Sequence, residues 1–187
     1  MGNARRTLIM QGKDVILGIL ERNDRTGYEI NDILKSQLSY FYDGSYGMIY
    51  PTLKKLEKEG KITKKQIVQN NKPNKNVYSI TNTGKEEFKE YLSSEIQDDI
   101  YKSDFLMRLF FGNALSNQEI IQAIKQEIIR KNKNIEQLTQ NYKKWKKNGM
   151  SKTQEITVKY GISQYTAVVK TLSEELENLY QDEINKQ

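Results

Sequence analysis

The side chains best suited to chemistry stand at residues 45–60, SYGMIYPTLKKLEKEG. Ser45, Tyr46, Tyr50 and Thr52 offer hydroxyls, Lys54 and Lys55 offer ammonium groups, and Gly47 leaves the backbone open to close approach. No carboxylate intervenes until Glu57 and Glu59. Hydroxyls can donate to or accept from base edges, the Thr52 methyl can meet a thymine methyl, and ammonium groups can neutralise phosphates. Ile49, Leu53 and Leu56 recur at helical spacing, so a helix would bury them and present the polar set on its other face. Ser45 is a candidate N-cap and Gly60 a candidate stop. Pro51 lies inside this helix, removes one donor and is expected to kink it or delay its regular start. An irregular first turn would bring the backbone near Gly47 toward a phosphate. A helix of this polarity, entering by its N-terminal end, suits the major groove of DNA. An ordinary amphipathic helix with a solvated basic face has the same pattern, so the neighbouring elements must decide between them.

Composition narrows the chemistry. The chain has 187 residues, 30 basic and 24 acidic, for a formal net charge of +6. Residues 1–92 hold 16 basic and 11 acidic groups, and residues 93–187 hold 14 and 13. The excess positive charge is therefore in the first half, as expected if that half meets a polyanion. With no Cys and no His, disulfides, thiolate nucleophiles, Cys/His zinc sites and Ser-His-Asp triads are excluded. Asp98, Asp99 and Asp104 form the one carboxylate cluster, a poor acid–base or metal site without His, and the charges better suit a helix start. The expectation is no enzyme, no catalytic residue, no metal and no cofactor. No apolar run approaches the length of a membrane span and no signal-peptide core is present, so a cytoplasmic location is expected.

The flanking elements fit a helix-turn-helix. Residues 7–22 read as a helix with Leu8, Val15, Ile16, Ile19 and Leu20 inward. Thr26 and Glu29 form a capping box that opens a second helix to about Leu38, with Ile30, Ile33 and Leu34 inward. Residues 41–44 connect it to the Ser45 helix, with Gly44 at a backbone position other residues resist. Residues 61–69 and 77–81 read as paired strands around a polar tip, 70–76, holding Lys72 and Lys75. A strand pair after a helix-turn-helix is a wing. Thr81 or Thr83 then caps a helix to about Glu95, with Phe88, Tyr91 and Leu92 inward.

The second half reads as helices only. Residues 96–111 form an apolar helix through Ile100, Phe105, Leu106, Leu109 and Phe110, ended by Gly112 and Asn113. Ser116 and Glu119 make a second capping box, starting a helix to about Asn148. Ile121, Ile124, Ile128, Ile135, Leu138, Tyr142 and Trp145 alternate at spacings of three and four, with Lys131 the polar exception. A last helix, about 153–185, continues the rhythm with Val158, Ile162, Tyr165, Val169, Leu172, Leu176 and Leu179, weakened locally by Gly161. Such stripes imply a coiled-coil-like seam, and the short connection at 148–152 folds the helices back antiparallel. A hairpin closed on itself would satisfy this pattern. Ile120, Ile129, Ile156, Val168 and Tyr180 lie off the stripes and favour a homodimer. Tyr142 and Trp145 suit either the seam or an aromatic ligand site.

Residues 15–92 resemble the PadR family of bacterial transcriptional regulators. The matching pieces are VILGILERNDRTGYEI at 15–30, SYGMIYPTLKKLEKEGKI at 45–62 and VYSITNTGKEEF at 77–88. Residues 98–111, DDIYKSDFLMRLFF, resemble the start of the longer helical region through which some members dimerise. The resemblance implies a mainly α fold with a small β-hairpin wing: an N-terminal winged helix-turn-helix (1–94) and a C-terminal antiparallel helical dimerisation arm (95–187). It further implies a homodimer on operator DNA, usually repressing a nearby gene, and in many members a response to small phenolic or drug-like molecules. On this resemblance Ser45, Tyr46, Gly47, Tyr50, Thr52 and Lys54 fall on the recognition helix, Tyr28 matches a tyrosine that approaches the DNA backbone, and Lys72, Asn74 and Lys75 fall on the wing tip. The tip has lysine and asparagine where family wings often carry arginine, which favours phosphate contact over minor-groove insertion.

Lysines 54, 55, 64, 72 and 75 would neutralise phosphates, and two-fold symmetry on a palindromic operator would compensate for modest base reading per half-site. The competing reading is a winged-helix adaptor that binds protein instead. A salt titration separates the two, because only phosphate binding weakens steeply with salt.

Overall fold

The computed structural model describes residues 10–68 and 74–185. The chain divides into two compact units, Met1–Asp99 and Ile100–Gln187.

In the first unit, α1 (Gly12–Arg22) starts where the Asp14 carboxylate accepts from the Gln11 backbone N–H at 2.8 Å. Met10 and Gln11 are not helical, so the helix begins later than residue 7, and Leu8 lies outside the described residues. Its inward face is Ile16, Leu17, Ile19 and Leu20. Leu17 joins the core and Val15 is only half-buried, a rotation of the expected stripe. Thr26 caps α2 (Gly27–Ile33) as expected: its hydroxyl accepts from the Glu29 N–H at 3.2 Å, and Glu29 accepts from the Thr26 N–H at 2.7 Å. The chain continues through a widened turn at Leu34–Leu38. Gly44 does not have positive φ. Its constraint is space, because a Cβ there would stand 2.6 Å from the Tyr42 ring.

The third helix, α3 (Tyr46–Lys58), buries Ile49, Leu53 and Leu56. Gly60 ends it with φ +69, its N–H donating to Glu57 O and that of Lys61 to Leu56 O. Only a residue free of Cβ strain enters that turn cheaply. The wing strands are β2 (Ile62–Ile67) and β3 (Lys75–Ile80), antiparallel with Ile62 opposite Ile80. A third strand, β1 (Arg25–Thr26), pairs with Tyr78 and Val77, giving the order β1-β3-β2. Two residues carry too little periodicity for this strand to be anticipated.

Thr81 caps α4 (Asn82–Leu92), accepting from the Gly84 N–H at 3.2 Å while its hydroxyl donates to Gly60 O at 2.8 Å. A Cβ on Gly84 would collide with the Lys61 carbonyl oxygen, so this glycine lets α4 dock on the α3–β2 corner. The helix stops at Leu92, which is exposed, contrary to the inward placement expected. Lys13 pairs with Glu87, and Lys61 bridges Glu87 at 2.5 Å and Glu59 at 2.6 Å. This network ties α1, α4 and the end of α3.

In the second unit, α5 (Asp104–Phe110) is much shorter than expected. Ser103 caps it through the Leu106 N–H at 3.1 Å, and residues 96–103 are not helical. Ile100 is exposed, so its burial does not reward extending the helix backward. Ser116 and Glu119 close their capping box, and α6 (Asn117–Lys147) runs to Gly149, whose φ is +83. Helix α7 (Lys152–Asn185) returns antiparallel: Lys131 lies over the Tyr165 ring and Lys125 over the Tyr180 ring. Ile121, Ile124, Leu138 and Val158 are buried in the seam. Gly161 is buried inside α7 without interrupting it. Lys131, the polar exception on the stripe, pairs with buried Glu127 at 3.4 Å.

Candidate nucleic-acid interface

The core orients α3. With Ile49, Leu53 and Leu56 turned inward, Tyr46, Gly47, Tyr50, Pro51, Lys54 and Lys55 are exposed on the opposite side, and Thr52 is half-buried at its edge. Ser45 is the N-cap residue, but its hydroxyl caps nothing. Its carbonyl accepts from the Met48 N–H at 3.2 Å, which leaves the exposed hydroxyl to an outside partner. The expected irregular first turn is absent: α3 is continuous from Tyr46 with Pro51 inside it. The proline is the sixth residue of α3, with its ring exposed, so its missing N–H forfeits one i→i−4 hydrogen bond.

Three tyrosines gather at this surface. Tyr46 and Tyr50 meet edge to face with centroids 5.8 Å apart, and Tyr28, 71% exposed, is close enough to act electrostatically on Tyr50. A hydrogen bond to Tyr46, with burial second, pushes the Tyr50 hydroxyl up to about 12. The Tyr50 ring leans over Gly27: a Cβ there would stand 2.9 Å from Tyr50 Cε1 and Oη. Buried Gly27 therefore makes room for the Tyr50 ring, a role with no local signal because the two residues sit on different helices.

The lysines are unequal. Lys54 makes no ion pair among the described residues. Lys55 is 4.0 Å from Glu59, and Lys64 is 3.3 Å from Glu57, which offsets part of its charge. Lys75 stands in β3 opposite Ile67 and its field helps lower the Glu29 carboxyl, after the larger effect of the Thr26 hydrogen bonds. Asn74 is exposed just before β3. Lys72 lies outside the described residues. Lys58 and Lys65, both exposed, extend the basic surface and were not singled out from the sequence. Along the arm, Ile121, Ile124 and Leu138 are covered within one chain, while Ile128, Ile135, Tyr142, Trp145, Val169, Leu172, Leu176 and Leu179 are half-buried.

A helix-turn-helix with a three-stranded wing, followed by a long helical hairpin, defines a winged-helix protein with a helical C-terminal region. Residues 16–90 match the model described as the transcriptional regulator PadR-like family, and residues 101–179 match that of the virulence activator alpha C-terminal region. The negative transcriptional regulator PadR of Bacillus subtilis is 32% identical over 133 residues, 71% of this chain and 73% of that protein. A crystal structure from Streptococcus mutans is 60% identical with a TM-score of 0.83, covering 90% of this chain and 99% of that one. Bacillus subtilis PadR has been solved with operator DNA and with p-coumaric acid; the DNA complex is 26% identical with a TM-score of 0.79, covering 89% of this chain and 98% of that one. The chain belongs to the PadR-like family of transcriptional regulators.

Proposed function

We infer that this regulator acts as a homodimer that represses a nearby operon by binding a palindromic operator and is released by a small aromatic molecule. The observation that carries the reading is the exposed face of α3, where Ser45, Tyr46, Tyr50 and Lys54 stand opposite a fully apolar core-facing side. Tyr28, Gly47, Thr52 and Lys55 border that face, and Lys64, Asn74 and Lys75 extend it to the wing, with Lys72 between them in sequence. Short hydroxyls read base edges, and the lysines engage phosphates. Repression is supported by the Bacillus subtilis relative, a negative regulator, and release by that protein's complex with p-coumaric acid. The half-buried stripe residues of α6 and α7, with exposed Leu106, Met107 and Phe110 of α5 and Phe111 just after it, supply apolar surface for the second subunit.

The test is a titration of the chain's own upstream DNA at several salt concentrations. With on the order of eight phosphate contacts per dimer, log affinity falls against log salt with a slope near −7. A flat salt response would replace this reading with a protein-binding adaptor.

A further inference from the structure

Charge is unevenly distributed along the second half of the chain. Residues 141–160 hold six lysines and one glutamate, a formal +5, while the rest of residues 93–187 holds eight basic and twelve acidic groups. Part of this has a local cause: Lys144, Lys146 and Lys147 stand in the last turn of α6, where free carbonyls favour cations. That cause does not extend across the turn. Lys152 is the first residue of α7, where free N–H groups disfavour a cation, and Lys159 follows it. The hairpin therefore gathers lysines from two helices at one tip, partly against local preference.

Glu155 faces them alone. It accepts from Lys159 at 2.8 Å and from the Tyr142 hydroxyl at 2.7 Å, with Lys152 at 3.6 Å and Lys146 at 3.8 Å. Those contacts, Lys159 first and Tyr142 next, hold its carboxyl down to about 2, as a strongly positive surrounding would. Lys143, Lys144 and Lys147 are exposed and make no ion pair among the described residues. Like charges this close repel unless an outside anion screens them.

We propose that the tip of the α6–α7 hairpin is a second phosphate-backbone contact, in which Lys143, Lys144 and Lys147 grip duplex DNA flanking the operator. The proposal rests on the operator-binding reading above. A duplex fits better than a lipid surface. Trp145 is half-buried and Tyr142 is tied to Glu155, so the tip's own α6 rings are not free to enter a membrane. A helix displays Lys143 and Lys147 roughly 6 Å apart along its axis, and a duplex presents a charge every ~1.7 Å of its length.

The test uses the full chain and an operator duplex extended by one helical turn on each side, followed by fluorescence anisotropy across a salt series. In K143Q/K144Q/K147Q the salt slope should become shallower by about 2.7 if one arm of a dimer touches DNA, or about 5.4 if both do. The same variant on a duplex trimmed to the operator should bind like wild type. An unchanged slope on the extended duplex, with wild type binding it, overturns the arm contact alone. Failure of wild type to bind any duplex overturns the underlying reading and the proposal together. Wild-type binding to phosphatidylserine vesicles, lost in the variant while DNA binding is unchanged, assigns the tip to a membrane and also overturns it.

Discussion

Gly27→Ala separates the structural and the recognition roles of the tyrosine cluster. The added Cβ would stand 2.9 Å from Tyr50 Cε1 and Oη and 3.0 Å from Cζ. Ordinary contact between such atoms is roughly 3.5–4.0 Å, so the ring must retreat by about 0.5–1 Å. Tyr50 is 42% exposed and has solvent to move into. The strain is therefore small, and Ala narrows the unfolded chain's freedom relative to Gly, a gain of about 0.4–1 kcal/mol that offsets it. Thermal unfolding should shift by only a few degrees. Binding should not be spared, because Tyr50 and its partner Tyr46 are carried off their positions. One misplaced hydrogen bond per half-site is worth about 1 kcal/mol. Two half-sites then lose about 2 kcal/mol, roughly 30-fold in Kd. Anisotropy on operator and on scrambled duplex reads this as a loss of specific affinity with non-specific binding retained. Unchanged operator affinity would refute the placement of Tyr50 at the interface. A collapse in Tm would show that Gly27 serves packing alone.

Other outcomes follow from the same contacts. Gly84→Ala drives a Cβ into the Lys61 carbonyl, a backbone atom that cannot swing away, and urea unfolding should show a loss above about 3 kcal/mol. Burial opposes ionisation of Glu87, but Lys13 and Lys61 outweigh it and hold the carboxyl below its ordinary range. A lowered carboxylate stabilises the fold above its ordinary pKa and loses that contribution as pH falls through the folded value. Lys13 and Lys61 are raised, so their share is complete below the ordinary lysine range and disappears as pH rises through their folded values. Tm against pH should therefore fall on both limbs, and E87Q should flatten the acid one. Changing Lys72 and Lys75 together to Glu should abolish DNA binding and leave the dimer intact by sedimentation; unchanged affinity would remove the wing from the interface.

Much of the fold was legible because its signals are local. The Thr26–Glu29 and Ser116–Glu119 capping boxes, the stops at Gly60 and Gly149, and the stripe Ile49, Leu53, Leu56 each depend on residues within a turn or two of one another. What escaped depends on distant partners. Strand β1 exists only because β3 offers it an edge, and Gly27 matters only because Tyr50 arrives from another helix. The helix expected at 96–111 failed for a related reason. Apolar spacing at 96–111 predicts a buried face, yet Ile96 and Ile100 are exposed and Ser103 caps a later start. Pro51 does not delay the start of α3, because burial of Ile49, Leu53 and Leu56 around it outweighs one missing donor. The lysine concentration at residues 141–160 is invisible in the charge of the second half, because acidic residues elsewhere in 93–187 offset it.

Operator binding as proposed requires two copies of α3 to meet one duplex together. A hydroxyl-radical footprint on the chain's upstream DNA tests this most directly. It should show two symmetric protected segments about one helical turn apart, roughly 34–36 Å, on one face of the duplex. A single unpaired segment, or no protection even at low salt, would contradict it.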